Sequence, residues 1–177
     1  MKKFALAICL LFCGGSSLAL AAEVTPLQLF FLVKQAFPEK TDVSVLITEE
    51  VYKSQEQKIS RASAQMQLKV NIFIVAGPQD VGKALQKIQD EAVVIVFDGR
   101  SLVDQSTRLY VLSKCKDKQI ALITTSPDYG ESGALICLAP DESEGLKITL
   151  NLKKNINQKD RFNEELVQKL GVTEVVL

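Results

Sequence analysis

In 177 residues the chain carries 21 basic and 21 acidic side chains and no histidine. That balance of charge leaves no electrostatic footprint for nucleic acid or an anionic lipid surface. The missing imidazole removes Ser-His-Asp and Cys-His catalysis together with the commonest metal ligand.

Met1-Lys2-Lys3 and the apolar run from Phe4 to Phe12 have the charged start and short apolar stretch of a secretory signal peptide. A spanning helix takes about 20 apolar residues, and Gly14, Gly15, Ser16 and Ser17 interrupt this run first, which argues against an uncleaved anchor. Cys13 raises a lipoprotein, but bulky Phe12 stands where that processing takes a small residue. Ala19-Leu20-Ala21 is the small-x-small pattern of a cleavage site, so residues 1–22 are expected to be removed. Residues 23–177 are then a soluble periplasmic or secreted protein. Loss of Lys2 and Lys3 leaves 19 basic residues against 21 acidic ones, a formal charge of −2. The remaining length suits one domain that folds without metal or disulfide.

Thr25-Pro26 is a helix start, with Leu27, Phe30, Phe31 and Val33 at helical spacing before Pro38 ends the run. Val43–Ile47 then reads as a strand, followed by Thr48 as N-cap of a helix with Val51, Ile59, Ala62 and Met66 on one face. The pattern recurs: strand Val70–Val75, a turn at Gly77-Pro78-Gln79-Asp80, and a helix with Val81, Leu85 and Ile88. Ala92–Phe97 is the most apolar strand, as for one buried on both faces of a parallel sheet. A helix through Leu102, Leu109 and Leu112 leads to strand Ile120–Thr124. Such alternation predicts a doubly wound, mainly parallel α/β sheet of Rossmann-like or flavodoxin-like order.

After Thr124 the rhythm changes. A polar loop from Thr125 to Gly133 precedes strand Ala134–Leu138, an acidic turn Asp141–Gly145 and the alternating Lys147–Leu150. These predict a C-terminal antiparallel hairpin at the sheet edge. Phe162, Leu166 and Leu170 mark a last helix, with Gly171 at its C′ position. No repeat, low-complexity tract or linker divides residues 23–177.

No element of this pattern carries a catalytic signature. The acidic run Asp141, Glu142 and Glu144 reads as a solvated turn. Gly77–Gly82 lacks the spacing of a phosphate loop and contains Pro78, which has no N–H to donate. No cofactor is implied, and the chain reads as a non-enzyme. Cys115 and Cys137 are the cysteines left after cleavage: either a disulfide closing a loop of about 20 residues, or two buried, inert thiols beside apolar strands.

In an open α/β sheet, ligands and partners meet the carboxyl ends of the strands where the strand order reverses. For an order 2-1-3-4-5 these ends bring together Thr48 and Glu49, then Asp98, Gly99 and Arg100, then Thr125, Ser126, Asp128 and Tyr129. An acid, a base, hydroxyls and an aromatic could grip a small zwitterion or another protein's loop. Arg100 and Tyr129 are expected to be exposed contact residues whose replacement leaves folding intact.

From Val43 to Asn151 the chain resembles one lobe of the ABC-transporter substrate-binding-like periplasmic proteins, on the strand Val43–Ile47 before a long helix, Val93–Phe97 running into Asp98, the Thr125–Tyr129 loop, Ser132-Gly133-Ala134-Leu135 and the Asp141–Gly145 turn. It also resembles the YfiR-like periplasmic proteins, on the opening helix Phe30 to Phe37-Pro38, Gly133 leading into Cys137-Leu138, and Leu150-Asn151-Leu152 before a terminal helix. Phe37 stands where that second family commonly has tryptophan, and its second cysteine pair is missing. The YfiR-like resemblance implies a regulatory, non-catalytic module that binds a membrane-anchored signalling protein, typically a diguanylate cyclase. The other implies a transporter component that binds a small-molecule solute with a single lobe. Either is expected to be a monomer or a weak homodimer.

Overall fold

The computed structural model describes residues 23–141 and 145–177. The signal-peptide reading of residues 1–22, and Glu142, Ser143 and Glu144 of the acidic turn, lie outside the described residues.

Among the described residues seven strands form one sheet: β1 (Asp42–Ile47), β2 (Lys69–Ile74), β3 (Val93–Val96), β4 (Ala121–Thr124), β5 (Ile136–Pro140), β6 (Leu146–Asn151) and β7 (Glu174–Val176). Their order is β2-β1-β3-β4-β5-β6-β7. The first five run parallel, so the order 2-1-3-4-5 holds. β6 returns antiparallel to β5, with Ile136 opposite Leu150 and Pro140 opposite Leu146, which is the expected hairpin. The Asp141 N–H donates to the Gly145 carbonyl at 3.0 Å and closes its turn. β7 pairs parallel with β6 and had no counterpart in the sequence pattern.

Strand pleating sends alternate residues to opposite faces, so β3 divides its apolar content between two cores. Val93 and Ile95 join Val43, Val45, Ile47, Ala121 and Ile123 on one face. That face is covered by α1 (Pro26–Ala36), α2 (Glu49–Met66) and α7 (Glu164–Lys169). Val94 and Val96 join Leu46 and Leu122 on the other. There the cover is α3 (Pro78–Lys87), α4 (Arg100–Val103), α5 (Gln105–Asp117) and α6 (Pro127–Ser132). Two covered faces explain why the central strands are apolar throughout.

The helix boundaries follow local chemistry. Thr25 opens α1 with a capping box: its Oγ1 accepts from the Gln28 N–H at 3.4 Å, and the Gln28 side chain accepts from the Thr25 N–H at 2.8 Å. Asp104 caps α5 by accepting from the Ser106 and Thr107 N–H groups at 3.1 and 3.2 Å, which separates α4 from α5. The Asn163 side chain accepts from the Leu166 N–H at 2.9 Å at the start of α7, and Gly171 takes φ +66° just past its end, as the sequence predicts.

Three expectations are corrected. The buried face of α1 is Leu29, Phe30, Leu32, Val33 and Ala36, with Leu27 and Phe31 turned toward solvent. The buried face of α5 is Thr107, Val111 and Cys115, while Leu109 is 53% exposed. The polar stretch from Thr125 to Gly133 is largely the helix α6, ended by Gly133 at φ +120°. Among the described residues no helix is long and apolar enough to cross a membrane.

Candidate functional site

The sheet order reverses between β1 and β3, where an α/β fold usually opens a crevice. Thr48 follows β1 and stands at the N-cap of α2, yet its side chain makes no cap hydrogen bond. It lies against Gly99 at the N-cap of α4: a Cβ on Gly99 would fall 2.8 Å from Thr48 Cγ2 and 2.9 Å from Oγ1. Gly99 has extended backbone, so close approach rather than conformation is what needs glycine here. The Thr48–Gly99 contact closes the switch point itself.

An open depression of about 300 Å³ lies beside it, toward β2, with Thr48, Glu49, Glu50, Ile74, Asp80 and Ser101 among its walls. The Asp80 carboxylate accepts from the Ala76 N–H at 3.3 Å and stands 3.6 Å from Lys83 Nζ. Glu49 pairs with Lys53 at 2.7 Å, and that hydrogen bond and charge hold its carboxyl below the usual range. Half-exposed Ile74 offers an apolar edge. α2 begins here with no side chain capping it, so its first-turn N–H groups are open to a ligand, whereas at the start of α3 Pro78 has no N–H and the Asp80 and Val81 N–H groups already donate to the Gly77 carbonyl at 3.1 and 3.2 Å.

The expected site residues do not form one cluster. Thr48 and Glu49 line the depression, and Gly99 backs it. The Asp98 N–H donates to Thr125 Oγ1 at 3.0 Å, joining the ends of β3 and β4. Arg100 opens α4, and its side chain lies outside the described residues. Ser126 and Tyr129 are corrected from contact residues to core: both are buried, and the Tyr129 hydroxyl donates to the Leu102 carbonyl at 2.8 Å. Asp128 pairs with Arg108 at 3.0 Å, and Arg108 also donates to the Val103 carbonyl at 3.1 Å. α6 is thus tied down on α4 and α5. Glu50, Ile74, Asp80 and Ser101 were not foreseen as walls; the signals available were the Glu49-Glu50 doublet and Asp80 in its turn.

Cys115 and Cys137 are both free and buried, which corrects the disulfide alternative and leaves the inert-thiol one. Burial pushes their thiols up to about 12 and about 11, respectively. Cys137 Sγ donates to the Ser126 carbonyl at 3.5 Å, while Cys115 packs with Val111, Ile120 and Leu122. Among the described residues no group of three or more Cys, Asp and Glu side chains is arranged to hold a metal ion.

Two further grooves lie away from this depression. One, of about 440 Å³, is apolar and runs beside α1 between Phe31, Met66, Leu138, Leu146 and Leu170. The other, of about 720 Å³, lies between α5 and the segment that follows β6.

No protein-family model matches the chain, and no curated protein matches it. Solved structures do. A conserved domain protein of Vibrio cholerae matches with a TM-score of 0.72 at 14% identity, over 87% of this chain and 61% of that one. An ABC domain from Streptococcus pneumonia in complex with L-Trp gives 0.68 at 15% identity, over 86% and 62%. An open, ligand-free substrate-binding protein with adhesive properties from Clostridium difficile gives 0.58 at 17% identity, over 81% and 54%. The chain therefore covers less than two thirds of the length of each of these proteins. At such identities the likeness defines the fold alone: a mainly parallel α/β architecture shared with these proteins.

Proposed function

We propose that this chain is an exported, non-catalytic solute-binding lobe of the ABC-transporter substrate-binding kind, taking a small amino-acid-like solute at the carboxyl ends of β1 and β2. The supporting observation is the depression itself. The uncapped N-terminus of α2 suits a carboxylate, Glu50 and Asp80 suit an ammonium group, and Ile74 suits an apolar side chain. The fold is shared with an ABC domain that holds L-Trp. The depression is open, so enclosing a solute would take a covering surface beyond this lobe.

Calorimetry of the purified protein against a panel of free amino acids, L-Trp included, tests this reading. Binding should weaken about tenfold or more in Glu50→Gln/Asp80→Asn, the scale of losing charge-assisted hydrogen bonds. If no amino acid gives heat, the solute reading fails. A second reading, a regulatory module for a membrane signalling protein, is favoured by Phe31, 46% exposed on the wall of the apolar groove beside α1. Recovery of a membrane protein from solubilised envelope by wild type, lost in Phe31→Ser, would put that reading in its place.

A further inference from the structure

The groove of about 720 Å³ is remote from the carboxyl ends of the parallel strands β1 to β5: its floor includes Ile120 and Leu122 at the amino end of β4, and Cys115 near the end of α5. Its far wall is the segment 153–158, and that wall is pinned. Lys154 Nζ donates to the Ser132 carbonyl at 3.0 Å, and Asn155 Nδ2 donates to the carbonyls of Gly133 and Asn151 at 3.1 and 2.8 Å. The groove is therefore shaped before anything enters it, which reduces the cost of ordering on binding.

Its chemistry is divided in a specific way. The floor is apolar. Leu109, 53% exposed on α5, and Ile156, 74% exposed on the opposite wall, line it as large apolar side chains left in water. Lys116 from α5 and Lys153 from the far wall supply positive charge, and no lining residue is acidic. Among the described residues neither lysine enters an ion pair. An apolar trough with cations from both walls and no carboxylate is complementary to a molecule with an apolar body and an anionic head. We infer that this groove binds an amphipathic organic anion, its apolar body between Leu109 and Ile156 and its head at Lys116 and Lys153. The site is independent of the solute reading, since it shares no residue with the depression at β1 and β2.

The test uses anilinonaphthalene sulfonate as a fluorescent amphipathic anion with the purified protein, and decanoate and decyltrimethylammonium as competitors. Decanoate should displace the dye, and the cation of equal chain length should do so at least tenfold less well. Lys116→Gln/Lys153→Gln should weaken dye and decanoate about tenfold with an unchanged melting temperature, whereas Glu50→Gln should change neither. Methyl-labelled NMR should place the decanoate shifts at Leu109, Leu112, Ile120 and Ile156. Equal displacement by anion and cation, an unaltered affinity in the double lysine variant, or shifts gathered at Leu27, Leu138 and Leu170 beside α1 would each overturn the assignment. So would binding only to phosphatidylglycerol vesicles with none to monomeric decanoate.

Discussion

Replacing Tyr129 separates a contact residue from a core residue by a wide margin. The side chain is fully buried in the second core, among Leu102, Val111, Cys115 and Ala134, and its hydroxyl donates to the Leu102 carbonyl at 2.8 Å. Tyr129→Phe keeps the ring and removes that bond, leaving a buried carbonyl short of a donor at a cost of about 1–2 kcal/mol. Tyr129→Ala removes the ring as well, and truncating a buried aromatic costs about 3–5 kcal/mol. The second substitution thus takes a large share of the stability of a domain whose total is about 5–15 kcal/mol. Equilibrium urea unfolding, followed by circular dichroism, measures both variants against wild type. In a chain of this size the Phe variant should melt about 2–8 °C lower. A Tyr129→Ala protein within about 0.5 kcal/mol of wild type, the range of exposed substitutions, would refute the placement of α6 and return Tyr129 to the surface.

Other outcomes follow from the thiols and from the closed switch point. Both cysteines should label in denaturant without reductant and resist labelling in the native protein, because both are free and buried; protection that persists in denaturant until a reductant is added would show a disulfide. Unfolded thiols ionise near 9, while the folded values are about 11 for Cys137 and about 12 for Cys115, so the unfolded state sheds its protons first. Stability from these groups should be full below about pH 9 and be lost as pH rises through 11 and 12; Cys115→Ala/Cys137→Ala should flatten that alkaline limb in unfolding measured against pH. Gly99→Ala should destabilise by about 1–3 kcal/mol, as overpacking does, because its Cβ would come within 2.8 Å of Thr48. Thr48→Ala should recover much of the loss in a double-mutant cycle, and additive effects would show that the two do not touch.

The strands could be read from the sequence because their signal is collective: Val43–Ile47 and Ala92–Phe97 are runs of β-branched and apolar residues, and parallel pairing buries both faces. Alternation with helices points to a doubly wound sheet; the order 2-1-3-4-5 enters from the sequence only as a condition, and the sheet adopts it. What escaped depends on partners rather than on pattern. Pro127–Ser132 has six residues and no apolar period, so its helical state rests on Tyr129 entering the core and on Arg108 bonding Asp128. β7 has only three residues and exists by pairing with β6. On α1 and α5, helical spacing alone fits more than one face, and only the sheet beneath selects which residues are buried.

The same dependence decides where a solute could sit. The nine residues expected at the strand ends all follow β1, β3 or β4 at their carboxyl ends. Side-chain chemistry then divides them. On the β4 side the hydroxyls are spent internally: Thr124 Oγ1 donates to the Val96 carbonyl at 3.2 Å and accepts from the Ser126 N–H at 3.0 Å, while Thr125 Oγ1 accepts from Asp98. On the β1 and β2 side, Thr48 leaves the start of α2 uncapped and Gly77 offers α3 no side chain at all. On the β1 and β2 side the open hydrogen-bonding capacity is therefore at the start of α2, since Asp80 already accepts from Ala76 and pairs with Lys83 and Glu49 pairs with Lys53. A polar solute gains affinity only from groups not already paired, so under the proposed solute reading the half of the strand ends nearest β2 is the expected place for it.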